Sequence, residues 1–353
     1  MINFNAPIHN TTGYGISATE IWKRLRTKTD VALYPIGQAA GIEDPGYHES
    51  FNNDIENMMR DDNRNNNTFK IWHQWDLHTR IGTGKYGALT FFELDTLLPN
   101  EVSSMNHPDT ILVSSKWAKE IVENHGVKNV GVAPLGVDLD IFNPKNFDID
   151  KNEKYVFINV GKWEIRKGHD LLVNMFNEAF TEEDNVELWM INHNAFLNQE
   201  QTLKWHKLYG ESKLGSKIKI LPRLDTHVKL ADVMNRADCG IYPSRGEGWN
   251  NEAIETMALN KPIILTNYSA HTEYANNDNA YLIDVDKTEP AEDGIWFTGQ
   301  GNWAKLGVSQ IEQTIEHMRY VYKNDIRTNP NGLKTAQKYT WQNTADEIWK
   351  YLN

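Results

Sequence analysis

Two glutamates mark the stretch RGEGWNNEAIE, in which Glu247 and Glu255 are separated by seven residues. Carboxylates repel phosphate groups, so a loop with two of them is poorly suited to binding phosphate alone. They do accept hydrogen bonds from hydroxyl groups, which a ribose or a hexose offers in number. The stretch therefore indicates a polyhydroxylated ligand. As an alternative, Glu252 and Glu255 would only complement the positive end of a helix, which leaves Glu247 unexplained.

A second group of charged residues lies in VGKWEIRKGHD, residues 160–170, which carries Lys162, Arg166 and Lys167. The group follows a predicted strand, and the helix predicted after it directs the positive end of its dipole to the same place. Cationic side chains and the dipole together would stabilise a diphosphate. A solvated cluster of surface charges is the alternative.

A third motif is NTTGYGIS, residues 10–17, which follows the first predicted strand and contains Gly13 and Gly15. Glycines at the start of a helix let the backbone approach a phosphate closely. An ordinary glycine turn is the alternative, because short glycine pairs are common.

The composition narrows the class of protein. The chain has 353 residues and a formal net charge of -12, with 40% hydrophobic and 24% charged residues. This is typical of a globular protein, and the acidic surplus disfavours a protein that binds a nucleic-acid backbone.

The one cysteine, Cys239, has no partner for a disulfide within this sequence. The first residues lack a signal-peptide pattern, and no apolar run reaches the ~20 residues that span a membrane. We expect a cytoplasmic protein, with peripheral contact at the inner face of a membrane left open.

Short apolar runs alternate with helical patterns from end to end, which predicts parallel sheets flanked by helices. A polar break over residues 141–154 suggests two Rossmann-like domains, residues 1–145 and 150–337. Ligands of such sheets bind beyond the carboxyl ends of the strands. Two facing domains would therefore hold the ligand in the cleft between them.

These motifs together resemble the retaining glycosyltransferases of family four, the glycosyl transferases group 1, which have the α/β GT-B fold. Members carry two glutamates separated by seven residues, which Glu247 and Glu255 match, and a basic pair, which Lys162 and Lys167 match. The run ILVSSKWAKEIVENHGVKNVGVAPLGVDLDIFNP and the closing YTWQNTADEIWKYLN also resemble the family. Because the last helix crosses back in this fold, the resemblance implies that residues 338–353 join the first domain.

The resemblance also implies a role for each matching residue. Lys162 and Lys167 would hold the donor diphosphate and stabilise the leaving group. Glu255 would bind the ribose of the nucleotide, and Glu247 would contact the hydroxyl groups of the donor sugar. The backbone around Gly248, Trp249 and Asn250 would touch the phosphates or the sugar, and Gly13 and Gly15 would approach the donor from the first domain.

The chain departs from the family pattern at several places. Lys162 stands where arginine is usual, so the charge is kept and the bidentate fork is lost. The usual GFG after the first glutamate reads GWN, so a glycine is missing. Glu93, in ALTFFELD, stands where many members have a histidine. A carboxylate there could stabilise an oxocarbenium-like transition state or orient the acceptor, or it could be a structural acid. His73, in IWHQWD, is the next catalytic candidate.

Two other signals have weaker support. Asp138 and Asp140 fall inside the GVD segment, and the spacing of His73 and His78 does not align them on a helix face, so no metal site is predicted. Trp72, Trp75 and Trp249 lie near predicted strand ends and could stack on a sugar ring.

The sequence thus predicts a metal-independent, retaining glycosyltransferase that uses a nucleotide-diphosphate sugar, UDP- or GDP-linked, and no cofactor. The alternative is a non-catalytic nucleotide-sugar or glycan-binding protein on the same fold. The acceptor is left open among glycan, lipid, protein and modified DNA base, with no stable nucleic-acid partner expected and the oligomeric state unassigned. The strip KRLRTK, residues 23–28, could meet DNA or anionic lipid, although a solvated helix face is the preferred interpretation.

Overall fold

The chain divides into two compact units in a computed structural model that describes residues 1–39, 42–147 and 153–352. The first unit comprises Met1–Gly136 and Tyr339–Asn353, and the second comprises Val137–Lys338. Within the predicted break at residues 141–154, residues 148–152 lie outside the described part of the chain.

The first unit is built on a parallel sheet with the strand order β2-β1-β3-β4-β5-β6. Its strands are β1 (Ile2–Ala6), β2 (Val31–Pro35), β3 (Asn67–Ile71), β4 (Tyr86–Thr90), β5 (Thr110–Val113) and β6 (Val130–Val132). The helices that connect them are α1 (Gly13–Leu25), α2 (His48–Met58), α3 (Pro99–Met105) and α4 (Lys116–Asn124). Phe4, Leu33 and Ile111 are fully buried in the sheet. Strands covered on both faces have such continuous apolar runs.

The second unit repeats this plan with the strand order β12-β11-β10-β7-β8-β9. Its strands are β7 (Tyr155–Gly161), β8 (Val186–Asn192), β9 (Ile218–Ile220), β10 (Cys239–Tyr242), β11 (Ile263–Asn267) and β12 (Tyr281–Asp284). Its helices are α5 (His169–Ala179), α6 (Gln199–Gly210), α7 (His227–Arg236), α8 (Asn251–Ala258), α9 (Val308–Lys323) and α10 (Pro330–Ala336). Phe157, Leu188 and Ile241 belong to one buried core with the inner faces of α5 and α9.

An antiparallel hairpin follows β12 and departs from the predicted pattern of parallel strands that alternate with helices. It consists of β13 (Thr288–Glu292) and β14 (Thr298–Ala304), and Glu289 pairs with Trp303. Helix α6 was not predicted.

The last helix, α11 (Trp341–Leu352), lies in the first unit. The Thr344 hydroxyl donates to the Pro134 carbonyl over 2.7 Å, and the Asn67 amide donates to the Leu352 carbonyl over 2.8 Å. The chain therefore ends on the sheet on which it began.

The basic strip of residues 23–28, at the end of α1 and beyond it, meets carboxylates. The pairs are Lys23 and Arg24 with Glu20, Arg26 with Asp54, and Lys28 with Asp346. Paired charges attract phosphate groups less strongly than open ones, which favours the helix-face interpretation. Among the described residues, no helix combines the length and the apolar character needed to cross a bilayer.

Candidate functional site

The two charged motifs of the second unit meet where the strand order of its sheet reverses. The chain builds β7, β8 and β9 outward on one side and then returns to place β10 against the other side of β7. Ligands of open parallel sheets bind beyond the carboxyl ends of the strands at such a switch point. The loop after β7 carries residues 162–168, and the loop after β10 carries residues 243–250.

Glu247 is the centre of this site. Its carboxylate accepts hydrogen bonds from Arg166 over 2.8 Å, from Lys167 over 3.0 Å and from the Ser244 hydroxyl over 2.7 Å. Each of these four side chains is buried. Like charges of Arg166 and Lys167 are thus held together by the carboxylate between them.

The cationic row continues from Arg166 to Lys162 through a second buried carboxylate. Glu164 pairs with Arg166 over 2.7 Å and with Lys162 over 3.3 Å. Lys162 has 39% of its side chain exposed, whereas Lys167 has 7%. Lys162 is therefore the cation of the row that solvent reaches most readily.

The electrostatics of the site keep both Glu247 and Lys167 charged. Burial alone would raise the pKa of the Glu247 carboxyl, but the charges of Arg166 and Lys167 outweigh it and hold the pKa well below its usual range. Burial would lower the pKa of Lys167, and Glu247 together with Glu252 raises it above the ordinary value instead. Both groups are ionised near neutral pH.

The backbone locks the two loops against each other. Gly168 has φ 75°, and a Cβ there would lie 2.1 Å from the Pro243 carbonyl oxygen, so only glycine fits. The Arg245 amide donates to the Arg166 carbonyl over 2.6 Å, and the Arg166 guanidinium donates to the Gly246 carbonyl over 2.6 Å. The charged side chains are therefore held on a fixed frame.

His169, which is buried, supports the loop after β7. Its Nδ1 accepts from the Glu164 amide over 3.3 Å, so we assign the ring proton to Nε2, which donates to the Asn159 side-chain oxygen over 2.9 Å. Burial, followed by the charge of Lys167, lowers the pKa of His169 well below its usual value. His169 is neutral and serves to position the loop.

The GWN segment differs from its predicted role at Trp249. The ring is 2% exposed and lies 5.1 Å from the ring of Tyr274, whose hydroxyl donates to the Trp249 carbonyl over 3.0 Å. The prediction that Trp249 stacks on a sugar is therefore wrong, because its ring belongs to the core. Gly248 is buried beside it.

Asn250 takes the left-handed conformation, with φ 75°, that glycine adopts most readily. Asparagine tolerates this conformation better than most residues. Its side-chain amide donates to Nε2 of His271 over 2.9 Å, and Nδ1 of His271 donates to the Thr266 carbonyl over 2.9 Å. Burial lowers the pKa of His271 to about 4, which keeps the ring neutral. Asn250, held in place by its hydrogen bond to His271, thus stands where the usual GFG pattern has its second glycine.

Glu255 lies on α8 and is 7% exposed. Burial raises the pKa of its carboxyl to about 8, against the opposing influence of His227. This carboxyl is therefore largely protonated at neutral pH, unlike that of Glu247.

In the first unit, Gly13 and Gly15 open α1, and Thr12 caps it by accepting from the Gly15 amide. A Cβ on Gly15 would lie 2.2 Å from the His9 ring, whereas a Cβ on Gly13 would meet nothing within 4 Å. Internal packing accounts for Gly15, and Gly13 has the open backbone that close approach of a ligand would require.

Tyr14 joins this helix start to the other predicted residues. Its ring stacks on Phe91 at 3.8 Å and lies 4.4 Å from the ring of His73. The Glu93 charge helps to raise the pKa of Tyr14, after burial as the main cause. Strands β3 and β4 end at Ile71 and Thr90, so His73 and Glu93 lie in the loops that follow them. In the loop after β3, Trp75 stacks on His73 at 4.2 Å and is 47% exposed.

Among the described residues, no group of three or more histidine, cysteine or acidic side chains could hold a metal ion. Asp138 accepts a hydrogen bond from the Asp140 amide over 2.9 Å, which makes a local turn.

Sequence reasoning placed Arg166 in the basic cluster without giving it a role, and it missed Ser244, Arg245, His271 and Tyr14. Arg166 was adjacent to Lys167, which was a usable signal. Ser244, Arg245 and Tyr14 also stand beside predicted residues in the sequence, so their positions were usable signals. His271 contacts the site only through the tertiary fold, so no spacing in the sequence indicated it.

A known family matches most of the second unit. Residues 154–295 match the model of the family described as "Glycosyl transferases group 1". These residues are therefore similar to the glycosyl transferases group 1. The predicted family resemblance is thereby confirmed.

Curated relatives of the chain are distant. An uncharacterised glycosyltransferase of Methanocaldococcus jannaschii is 25% identical over 45% of this chain and 40% of its own length. A serotype-specific mannosyltransferase of Escherichia coli is 24% identical over 70% of this chain and 29% of its own length. The chain therefore spans less than half the length of these curated relatives.

Solved structures are similar over nearly the whole chain. The Anabaena protein HepE, in complex with UDP and glucose, has a TM-score of 0.71 at 13% identity, with 99% of this chain and 98% of that chain covered. With its two parallel sheets, the chain has the GT-B fold, as predicted.

Proposed function

We propose that the chain is a glycosyltransferase that moves a sugar from a nucleotide-diphosphate sugar to an acceptor, with retention of configuration at the anomeric carbon. The observation that carries the proposal is the junction of Lys167 and Glu247 at the switch point of a unit that resembles the glycosyl transferases group 1, where their side chains lie 3.0 Å apart. The complex of HepE with UDP and glucose, on the same fold, supports a donor of this class.

Lys162 and Lys167 are the proposed ligands of the donor diphosphate. Lys162 is partly exposed, and Arg166 adds a third cation between them. Negative charge grows on the diphosphate as the glycosidic bond breaks, and fixed cations stabilise it without reorganisation. The carboxylates of Glu164 and Glu247 keep the cations in place before the donor binds.

Glu247 has a proposed double role. Its carboxylate accepts three hydrogen bonds from protein groups, and a carboxylate has about four acceptor positions. One position is therefore left for a hydroxyl group of the donor sugar, while the other three orient the cations. The backbone of Gly248 and Asn250 lies next to it along the chain. Glu255, on α8, is the proposed ligand of the ribose.

In the first unit, Glu93 and His73 are the proposed catalytic residues. Gly13, which has no side chain in the way, would let the donor approach the backbone closely. The carboxylate of Glu93 would stabilise positive charge at the anomeric carbon or orient the acceptor. The stacking of His73 on Trp75 fixes the ring plane of the histidine.

Turnover tests the proposal directly. The protein is incubated with UDP-glucose or GDP-mannose and with glycan and diacylglycerol acceptors, and released nucleoside diphosphate is measured by chromatography. We expect release with transfer of the sugar, an α-configured product by NMR, and little change on addition of EDTA. Strict dependence on added manganese would contradict metal independence. Binding of a donor without transfer or release would favour a non-catalytic binding protein.

A further inference from the structure

A row of aromatic rings runs from the core of the first unit to its surface. Phe91 stacks on Tyr14 at 3.8 Å, and Tyr14 lies 4.4 Å from His73. His73 in turn stacks on Trp75 at 4.2 Å. Phe91 and Tyr14 are buried, His73 is partly exposed and Trp75 is 47% exposed. We call these four residues the aromatic row, and its outer end is the indole ring of Trp75.

The indole ring of Trp75 presents one face to solvent. The ring of His73 lies nearly parallel to it, with an interplanar angle of 9°, and covers the other face. The indole N–H donates to no group in the described part of the chain. The ring can therefore take a ring-shaped ligand on its outer face and donate a hydrogen bond at its edge.

The loop that carries Trp75 is held in place on both sides of the ring. The Asp76 amide donates to the His73 carbonyl over 3.0 Å and closes a turn. The Gln74 side-chain amide donates to the carboxylate of Glu101, on α3, over 3.0 Å. A ring fixed in this way binds a ligand without the entropy loss of ordering a mobile side chain.

The aromatic row also places this open face next to the proposed chemistry. His73, a proposed catalytic residue, lies between Tyr14 and Trp75. Tyr14 follows Gly13, where the donor would approach the backbone, and the Glu93 charge contributes to the raised pKa of Tyr14. The proposed donor approach and Trp75 are therefore on opposite sides of His73, an arrangement that suits transfer from one substrate to another.

The donor does not account for the open face of Trp75. Its sugar and its ribose have proposed ligands at Glu247 and Glu255, and its diphosphate at the cations after β7, all in the second unit. The nucleobase is bonded directly to the ribose, so the ligand of the ribose places the base in the second unit as well. Both rings of the nucleoside and the donor sugar are thus assigned there, and the face of Trp75 falls to the acceptor.

The charges around the aromatic row indicate a neutral acceptor that is rich in hydroxyl groups. Asp76 follows Trp75 and has 40% of its side chain exposed, whereas Lys70, which pairs with Asp76 at 3.7 Å, has only 3% exposed. Carboxylates accept hydrogen bonds from hydroxyl groups and repel phosphate. An anionic lipid headgroup would therefore be poorly placed here.

A sugar ring matches both features of this surface. It combines hydroxyl groups with apolar C–H faces, and such faces pack on an aromatic ring. The chains of a diacylglycerol would need an extended apolar surface, whereas the residues on either side of Trp75, Gln74 and Asp76, are polar.

We propose that the outer face of Trp75 is an acceptor subsite and that it binds a sugar ring of a neutral saccharide. This inference rests on the proposed function, which assigns the donor to the second unit. Trp75 holds the acceptor and takes no part in the chemical step.

A binding experiment with the whole chain tests the assignment. Glycans that bind the protein are identified on a glycan array, and their affinity is then measured by calorimetry for the wild type, Trp75→Ala, Trp75→Leu and Trp75→Phe. Trp296→Ala is the matched control, because it removes a tryptophan of similar exposure, 44%, from the second unit. Affinities for UDP-glucose and GDP-mannose are measured in parallel.

We expect Trp75→Ala and Trp75→Leu to weaken glycan binding by about 5- to 10-fold, as loss of a stacked ring does. Trp75→Phe should retain most of the affinity, and Trp296→Ala should bind glycan like the wild type. The donor affinities of the Trp75 variants should stay within about two-fold of the wild-type values.

The inference is overturned if no glycan binds, if Trp75→Ala and Trp75→Leu bind glycan like the wild type, or if their donor affinity falls equally, which would make Trp75 part of the donor site. Transfer to diacylglycerol in vesicles that depends on Trp75, without glycan binding, would overturn it in favour of a lipid acceptor. If neither nucleotide sugar binds while glycan binding still depends on Trp75, the proposed enzymatic function fails and the saccharide site stands.

Discussion

Glu247 shows how one residue links the charges of the site. Its carboxylate lies between the buried cations of Arg166 and Lys167, so its removal leaves Arg166 with Glu164 and Lys167 with the more distant Glu252, at 3.9 Å. Breaking a buried ion pair by removing one partner is strongly destabilising. The same change on an exposed pair costs little.

We therefore expect Glu247→Gln to lower the free energy of unfolding by about 3 kcal/mol, measured by urea denaturation. Glu200→Gln is the control, because Glu200 pairs with Lys204 at the same 3.0 Å but is 78% exposed. The depressed pKa of Glu247 places its stabilising contribution above the unfolded-state value of 4.5, and that contribution is lost as the pH falls below it. Equal effects of the two substitutions would contradict the buried network.

The carboxyl of Glu255 should make the stability of the protein depend on pH in the direction opposite to that of Glu247. Burial raises the pKa of its carboxyl from 4.5 to about 8 in the folded protein. The folded state therefore holds a proton that the unfolded state releases, so the stabilising contribution is full below pH 4.5 and is lost as the pH rises to about 8. Thermal melting across this range should show wild-type Tm falling relative to that of Glu255→Gln. Parallel curves would mean that the carboxyl is ionised in the folded state.

At the scale of elements, the two glycines at the start of α1 differ in role. Packing requires Gly15, whereas Gly13 leaves space for a ligand. A Cβ on Gly15 would collide with His9, whereas one on Gly13 meets nothing within 4 Å. Gly15→Ala should lower Tm, and Gly13→Ala should leave it unchanged or raise it slightly, because alanine is the better helix former. If Gly13 lies against the donor, Gly13→Ala should weaken donor binding at normal stability. Equal loss of Tm in both variants would refute this distinction.

The parallel sheets were predictable because their strands are short apolar runs separated by helical patterns. The apolar run YVFINVG, for example, predicts a strand, and β7 has the same bounds. The hairpin of β13 and β14 was not predictable in this way, because its sequence TEPAEDGIWFTGQGNWA mixes proline, glycine and acidic residues, and its pairing depends on a partner strand beyond a turn. Helix α6 has apolar positions that are largely exposed, so its periodicity was weak.

The site was predictable as two motifs and not as one network. The spacing of Glu247 and Glu255 and the group around Lys167 are visible in the sequence, and the expectation for a parallel fold placed both at strand ends. That Glu247 pairs with Arg166, that Asn250 takes the left-handed conformation, and that Trp249 is buried depend on packing between loops far apart in the chain.

At the scale of the whole molecule, the two units repeat one plan, and each brings candidate residues to the carboxyl ends of its strands at or next to the switch point. In the second unit these are the residues after β7 and β10, and in the first unit they are the residues after β1, β3 and β4. The net charge of -12 makes the local cationic row of Lys162, Arg166 and Lys167 an exception to the general acidity. Such a local row is where an anionic donor is expected to bind.

Calorimetric titration with UDP-glucose and GDP-mannose tests the central claim most directly. The wild type should bind at least one of the two, and Lys167→Ala should weaken that binding and reduce turnover by at least ~100-fold, the scale of losing one charge-stabilising group. Lys204→Ala, which removes an exposed ion-paired lysine from the same unit, should behave like the wild type. Binding and turnover by Lys167→Ala that match those of the wild type would contradict the assignment of the donor diphosphate to this site.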